Sequence, residues 1–124
     1  MPLEMITSDK IPSLGPYSLA VKNPNGFVHT SGSLGLKDGA LVEGIEAQTL
    51  VSLQNLEIVL KEAGGTKFDV VSGTIMLADL KDFAKGNKVY GEFFEGHKPA
   101  RACTQHAAIP AGGLIEMSCI AFKE

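Results

Sequence analysis

Residues 114–122, Leu-Ile-Glu-Met-Ser-Cys-Ile-Ala-Phe, constrain the fold more than any other stretch of the chain. Read as a strand, their two alternating sets are Leu114, Glu116, Ser118, Ile120, Phe122 and Ile115, Met117, Cys119, Ala121. Neither set is strongly polar, so this strand needs cover on both faces. The chain supplies helices for only one. From Ile45 to Ala63, Ala47, Leu50, Leu53, Leu56 and Leu60 recur at three- and four-residue steps, and Gly64-Gly65 ends the run. A second helix is predicted from Leu80 to about Glu95, with Asp79 as its N-cap and Phe83, Asn87, Tyr90 and Phe94 along one face. A sheet apolar on both faces, with helices for one, implies self-association through the other.

The remaining strands fill out that sheet. Residues 18–21 and 27–31 read as a hairpin around Asn23-Pro24-Asn25-Gly26. A loop with Gly32, Gly35 and Gly39 follows. Residues 69–78 are short and rich in β-branched side chains, which predicts a strand buried on both faces. Residues 99–105 and 114–122 read as two strands joined by the Pro/Gly turn Ile109-Pro110-Ala111-Gly112-Gly113. The order β-β-(β)-α-β-α-β-β predicts one α+β domain over residues 1–124, two layers deep, with a mostly antiparallel sheet.

Composition excludes several function classes. The formal net charge is −3, and Lys81, Lys85, Lys88 and Lys98 alternate with acids, so no basic footprint for nucleic acid is present. Cys103 and Cys119 form no Cys-x-x-Cys pair, and His29, His97 and His106 show no metal spacing; free thiols and no metal are expected. Ser31-Gly32-Ser33-Leu34-Gly35 is not a nucleophile elbow, because Ser31 stands where that motif needs glycine. No phosphate loop or dinucleotide fingerprint is present. Met1-Pro2-Leu3-Glu4-Met5 has neither the basic nor the apolar region of a signal peptide, and no apolar run is long enough to span a bilayer. The expectation is a cytoplasmic protein.

The candidate chemistry lies near the C-terminus. Arg101 starts a strand between two alanines, after Pro99. It reads either as a solvated surface arginine or as a holder of a small carboxylate, which the guanidinium fork suits. Glu116 is a lone acid among Leu114, Ile115 and Met117. It reads either as an edge charge that deters aggregation or as a partly buried proton carrier. Cys103 has no base fixed near it and reads as a small core residue whose backbone lies close to Arg101. Tyr17, after Gly15-Pro16, is either an exposed loop residue or a ring held beside a ligand. Asn87 must find a hydrogen-bond partner on an otherwise apolar helix face.

Together these motifs resemble the RidA/YjgF family. Gly15-Pro16-Tyr17-Ser18, Thr30-Ser31-Gly32, Phe83-Ala84 with Asn87, Tyr90 and Phe93-Phe94, and Pro99-Ala100-Arg101-Ala102-Cys103 with Ile109-Pro110 and Ile115-Glu116 carry the resemblance, over about residues 8–123. It implies a chorismate-mutase-like two-layer fold and a homotrimer with three clefts between subunits. It also implies hydrolysis of reactive 2-imino or enamine acids, such as 2-iminobutanoate and 2-iminopropanoate, to 2-keto acids and ammonia without a bound cofactor. Under it Arg101 clamps the substrate carboxylate and Glu116 activates water. Tyr17, Ser31, Gly32, Asn87 and the Cys103 backbone line the cleft, with Tyr17 and Asn87 contributed by the neighbouring chain. Ser33-Leu34-Gly35 and Lys98 depart from the family's usual residues, and both lie on the expected cleft rim. Relatives with altered sites suggest a non-catalytic acid-binding regulatory trimer as the alternative, and others an endoribonuclease or translation inhibitor.

A simple hairpin does not bring the two charged residues together. If it is symmetric about Ala111, Glu116 faces His106, and Arg101 lies five residues further on, about 15 Å away. A skewed register, a bulge or a subunit boundary is needed for both to touch one small acid.

Overall fold

The structure, a computed structural model, describes residues 2–124. Strands β1 (Glu4–Ile6), β2 (Ala20–Lys22), β3 (Phe27–Thr30), β4 (Ser33–Leu34), β5 (Leu36–Lys37) and β6 (Ala40–Leu41) precede helix α1 (Ile45–Glu62). Strand β7 (Val70–Leu77), helix α2 (Phe83–Phe94), β8 (Ala100–Gln105) and β9 (Ile115–Phe122) follow. The main sheet runs β1-β2-β3-β9-β7-β8, with β4 also on β9; all its pairs are antiparallel except β7 with β8. Two helices on one face of this sheet make the α+β two-layer architecture expected from the sequence. The β5–β6 hairpin, read as plain loop, consists of two-residue strands too short to show alternation.

The terminal hairpin is not formed. β7 lies between β8 and β9: Met76 is opposite Thr104 on one side and Glu116 on the other. The reason is chain economy around α2. A strand, a helix and a strand in succession make a βαβ unit, whose two strands pair in parallel. Residues 106–114 then cross the end of β7, where His106 N donates to Leu77 O at 2.8 Å and Ala78 N donates to Leu114 O at 3.0 Å.

The core lies between the helices and the Ile115, Met117, Cys119, Ala121 face of β9, with Ile75 and Leu77 of β7. α1 turns Leu53, Leu56 and Leu60 of the expected stripe inward, but its first turns bury other residues. Leu50 is 40% exposed, whereas Gln48, Thr49 and Ser52 are buried. These polar residues are satisfied. Gln48 donates to Val42 O and accepts from Leu114 N, and Ser52 exchanges bonds with Ser33. Asn55 Nδ2 donates to Leu34 O and Leu36 O. α1 thus holds residues 33–36 by hydrogen bonds as much as by packing.

The second sheet face is uncovered in the single chain. β7 is therefore buried on one face only, and Val71 and Thr74 are exposed. Between β3 and β4 the pairing with β9 slips: four steps from His29 to Ser33 face three from Ile120 to Met117. The extra residue makes a β-bulge at residues 30–32, where Thr30 Oγ1 replaces a backbone acceptor for Cys119 N at 2.9 Å.

Candidate active site

The candidate residues fall into two groups, and the sheet separates them. Arg101 is opposite Gly73 on β7, which is opposite Cys119 on β9. Cys119 is buried toward the helices, so Arg101 emerges on the helix side. Glu116 is one of the alternating residues on the uncovered side. The two Cα atoms are two strands across and three residues along, roughly 14 Å apart from the strand spacing and rise. One chain therefore holds the guanidinium and the carboxyl on opposite faces of its own sheet.

The first group is Arg101, Asn87 and Cys103. Asp79 Oδ1 accepts from Lys81 N at 2.9 Å and caps a 3₁₀ turn (Leu80–Asp82) that leads into α2. Leu80 N donates to Gln105 Oε1 at 2.8 Å, which ties the start of α2 to the end of β8. Asn87 then meets Arg101, and its Oδ1 accepts a hydrogen bond from the guanidinium. The guanidinium carbon lies 4.8 Å from the Tyr90 ring centre and 5.7 Å from that of Phe83. Among the described residues no carboxylate is within 4.0 Å of Arg101. Cys103 packs half-buried against the core beside it, and burial raises its thiol pKa while Arg101 partly offsets the rise. Burial pushes the Cys119 thiol to about 11. Neither sulfur is prepared as a nucleophile.

The second group is Glu116, Gly32, Ser31 and the Tyr17 loop. Gly32, in the bulge, is pressed against the Glu116 side chain: a Cβ there would lie 2.5 Å from Glu116 Oε2 and 2.8 Å from its Cδ. Ser31 Oγ donates to Ser18 O at 2.6 Å and Ser31 N donates to Leu19 O at 2.9 Å, which fastens the bulge to the loop carrying Tyr17. The Tyr17 ring is 44% exposed and folds back so that its hydroxyl accepts from Leu14 N at 3.3 Å. Burial raises the Glu116 pKa, and the nearby His106 partly opposes this. His106 Nε2 lies 3.0 Å from Thr104 Oγ1 on the same uncovered side.

Gly32→Ala is a direct probe of this packing. The added methyl forces the carboxyl to turn away, so any activity that uses this carboxyl is expected to fall by about ten- to a hundredfold, the scale of an ångström-sized misplacement. Thermal unfolding should change little, because Gly32 is exposed. Steady-state kinetics beside a melting curve check both.

The family model described as Endoribonuclease L-PSP matches residues 7–123. The chain is a member of this RidA/L-PSP family. A RutC family protein of Pyrococcus abyssi is 42% identical over 128 residues, covering 100% of both chains. The 2-iminobutanoate/2-iminopropanoate deaminase of Mus musculus is 39% identical over 124 residues, covering 97% of this chain and 91% of that protein. The crystal structure of E. coli TdcF with bound serine superposes with a TM-score of 0.92 at 31% identity, covering 98% of this chain and 99% of that one.

In this RidA/L-PSP chain two features of the site were not picked out from sequence. Tyr90 and Phe83 lie beneath Arg101, although their spacing from Asn87, three and four residues, does mark one helix face. Thr104, beside His106 on the Glu116 side of the sheet, was not singled out either, because its place there depends on β7 lying between β8 and β9. Among the described residues no group of His, Cys, Asp and Glu is arranged to hold a metal, and no helix is long and apolar enough to cross a membrane.

Proposed function

We propose that the protein hydrolyses small 2-imino or enamine acids, such as 2-iminobutanoate and 2-iminopropanoate, to 2-keto acids and ammonia. The observation that carries this reading is the guanidinium of Arg101, held by Asn87 and aromatic rings with no internal carboxylate to occupy it. Such a group is an open receptor for a carboxylate. The names borne by relatives at about this similarity support the reading, and the serine bound to TdcF is an acid of the same size.

Two half-sites on opposite faces of one sheet need a second copy to meet. In this reading the chain forms a ring, a homotrimer, through the uncovered face and edge strand. Arg101, Asn87 and the Cys103 backbone of one copy then meet Glu116, Gly32, Ser31 and Tyr17 of the next. This divides the chains differently from the sequence expectation, which placed Tyr17 and Asn87 together.

The chemistry is balanced and needs no bound cofactor. Arg101 holds the carboxylate, leaving the adjacent imine carbon exposed. Glu116, as the carboxylate, takes a proton from water as its oxygen bonds to that carbon. That proton passes to the nitrogen, giving an amine beside the new hydroxyl; Glu116 then carries the hydroxyl proton to the same nitrogen, the carbon–nitrogen bond breaks, and ammonia leaves as the ketone forms. A carboxyl whose pKa is raised toward neutrality both accepts and returns a proton more readily than an ordinary one.

The test couples the protein to a pyridoxal-phosphate dehydratase that generates 2-iminobutanoate and follows ammonia or 2-oxobutanoate. Acceleration over buffer is expected; none, with folded oligomer confirmed, would refute the reading. Binding of 2-oxobutanoate without turnover would favour a regulatory acid-binding trimer. The family model's description favours a ribonuclease as a second reading. Cleavage of RNA by pure protein, lost in Arg101→Ala, would establish it against the charge argument.

A further inference from the structure

We propose that Tyr90 and Phe83 are positioning residues that form an aromatic shelf for Arg101, presenting its guanidinium to an anion in a fixed orientation. The inference rests on the reading of Arg101 as the carboxylate receptor and adds what makes it one. An arginine on an edge strand carries several rotatable bonds, and ordering them costs free energy each time a ligand binds. Here two elements order it beforehand.

The geometry comes from three coincidences of sequence. Residue 73, opposite Arg101 on β7, is glycine, and a Cβ there would lie 3.3 Å from the Tyr90 hydroxyl. The missing side chain leaves room for the Tyr90 ring to lie along the strand toward Arg101. Tyr90 itself is fixed, being buried and tilted against Phe94 with ring centres 4.8 Å apart. Phe83, seven residues earlier on the same helix face, stands 5.7 Å from the guanidinium carbon and is 41% exposed.

The choice of partner matters as much as the contact. A carboxylate beneath Arg101 would also hold it, but would compete with the substrate for the same charge. Aromatic faces attract the cation while using none of its five N–H donors. Asn87 uses one of them, as a neutral acceptor. The remaining fork is free for two parallel bonds to a carboxylate.

The shelf acts on binding rather than on the chemical step, so its signature is a rise in KM with kcat nearly constant. The experiment measures the Kd of 2-oxobutanoate by calorimetry, alongside kcat and KM, in the full-length protein. Tyr90→Phe keeps the ring and should bind within about twofold of the parent. Tyr90→Leu removes the ring and should weaken binding roughly three- to tenfold, the range of a partly desolvated cation–π contact. Phe83→Leu, at a partly exposed position that does not threaten folding, should weaken it about two- to threefold. Wild-type affinity in both leucine variants would overturn the proposal. So would a loss in Tyr90→Phe equal to that in Tyr90→Leu, or no binding of the acid by the parent protein. Absence of ammonia release with acid binding intact would overturn the deaminase reading and leave the shelf standing.

Discussion

Arg101→Ala is expected to abolish most activity while leaving the fold intact. The side chain is exposed and carries no ion pair within 4.0 Å, so its removal breaks little that stabilises the single chain. What it removes is the carboxylate anchor. Two hydrogen bonds to a charged group, each worth ~1.5–3 kcal/mol, set a loss in kcat/KM of ~10²–10⁴. Arg101→Lys should recover only a small part, because an ammonium keeps the charge but loses the planar fork and the ring stacking. Parallel measurement of kcat/KM and of 2-oxobutanoate affinity checks this. A variant that binds and turns over like the parent would remove Arg101 from the site.

Glu116→Gln is expected to act on the other kinetic parameter. The amide is nearly isosteric and fits beside Gly32, but takes no proton from water. A fall in kcat of ~10²–10⁴, with KM within a few-fold, is the expected cost of losing a positioned general base. The pH dependence follows from the raised pKa. Activity should be full where Glu116 is ionised and should fall with decreasing pH at a point above the ordinary glutamate range. The stability effect has the opposite sense. A carboxyl whose folded pKa lies above its unfolded value favours the folded state in its protonated form. That contribution is present below the unfolded pKa and is lost as pH rises through the folded one. Glu116→Gln should therefore unfold at no lower temperature than the parent at neutral pH. An acid limb unmoved from ordinary glutamate, or unchanged kcat in the glutamine variant, would contradict the role.

Much of this fold was legible in the sequence because local patterns agreed with the final packing. The α1 periodicity, the Gly64-Gly65 stop, Asp79 as a cap and the Asn25-Gly26 turn each specify structure within a few residues. The terminal hairpin was misread because the Pro110–Gly112 turn is a strong local signal, whereas the pairing of β8 with β7 is set by the helix between them. The βαβ order was itself visible in residues 69–105 and points to a parallel pair. The buried Gln48 and Ser52 escaped because hydropathy counts them as polar, and only the strap at residues 33–36 reveals their partners.

The candidate residues were legible in a different way. Arg101 and Glu116 stood out as charges in small or apolar surroundings, Tyr17, Asn87 and Cys103 stood out by their local settings, and the family resemblance supplied Ser31 and Gly32. Their grouping was not legible, since it depends on which sheet face each occupies. Register decides that: Gly73 links Arg101 to the helix side, and Met76 links Glu116 to the uncovered side. A shift of one residue in either pairing would exchange the groups.

That grouping makes complementation between inactive chains the most direct measurement. Arg101→Ala and Glu116→Gln proteins, unfolded together in equal amounts and refolded, should form mixed oligomers. If each site takes Arg101 from one copy and Glu116 from its neighbour, about a quarter of the sites in a random ring contain both native residues. Recovery of about a quarter of parental activity from two nearly inactive proteins is the expected result. No recovery, in mixed oligomers verified by mass, would show that one chain supplies both residues and would contradict the division of the site.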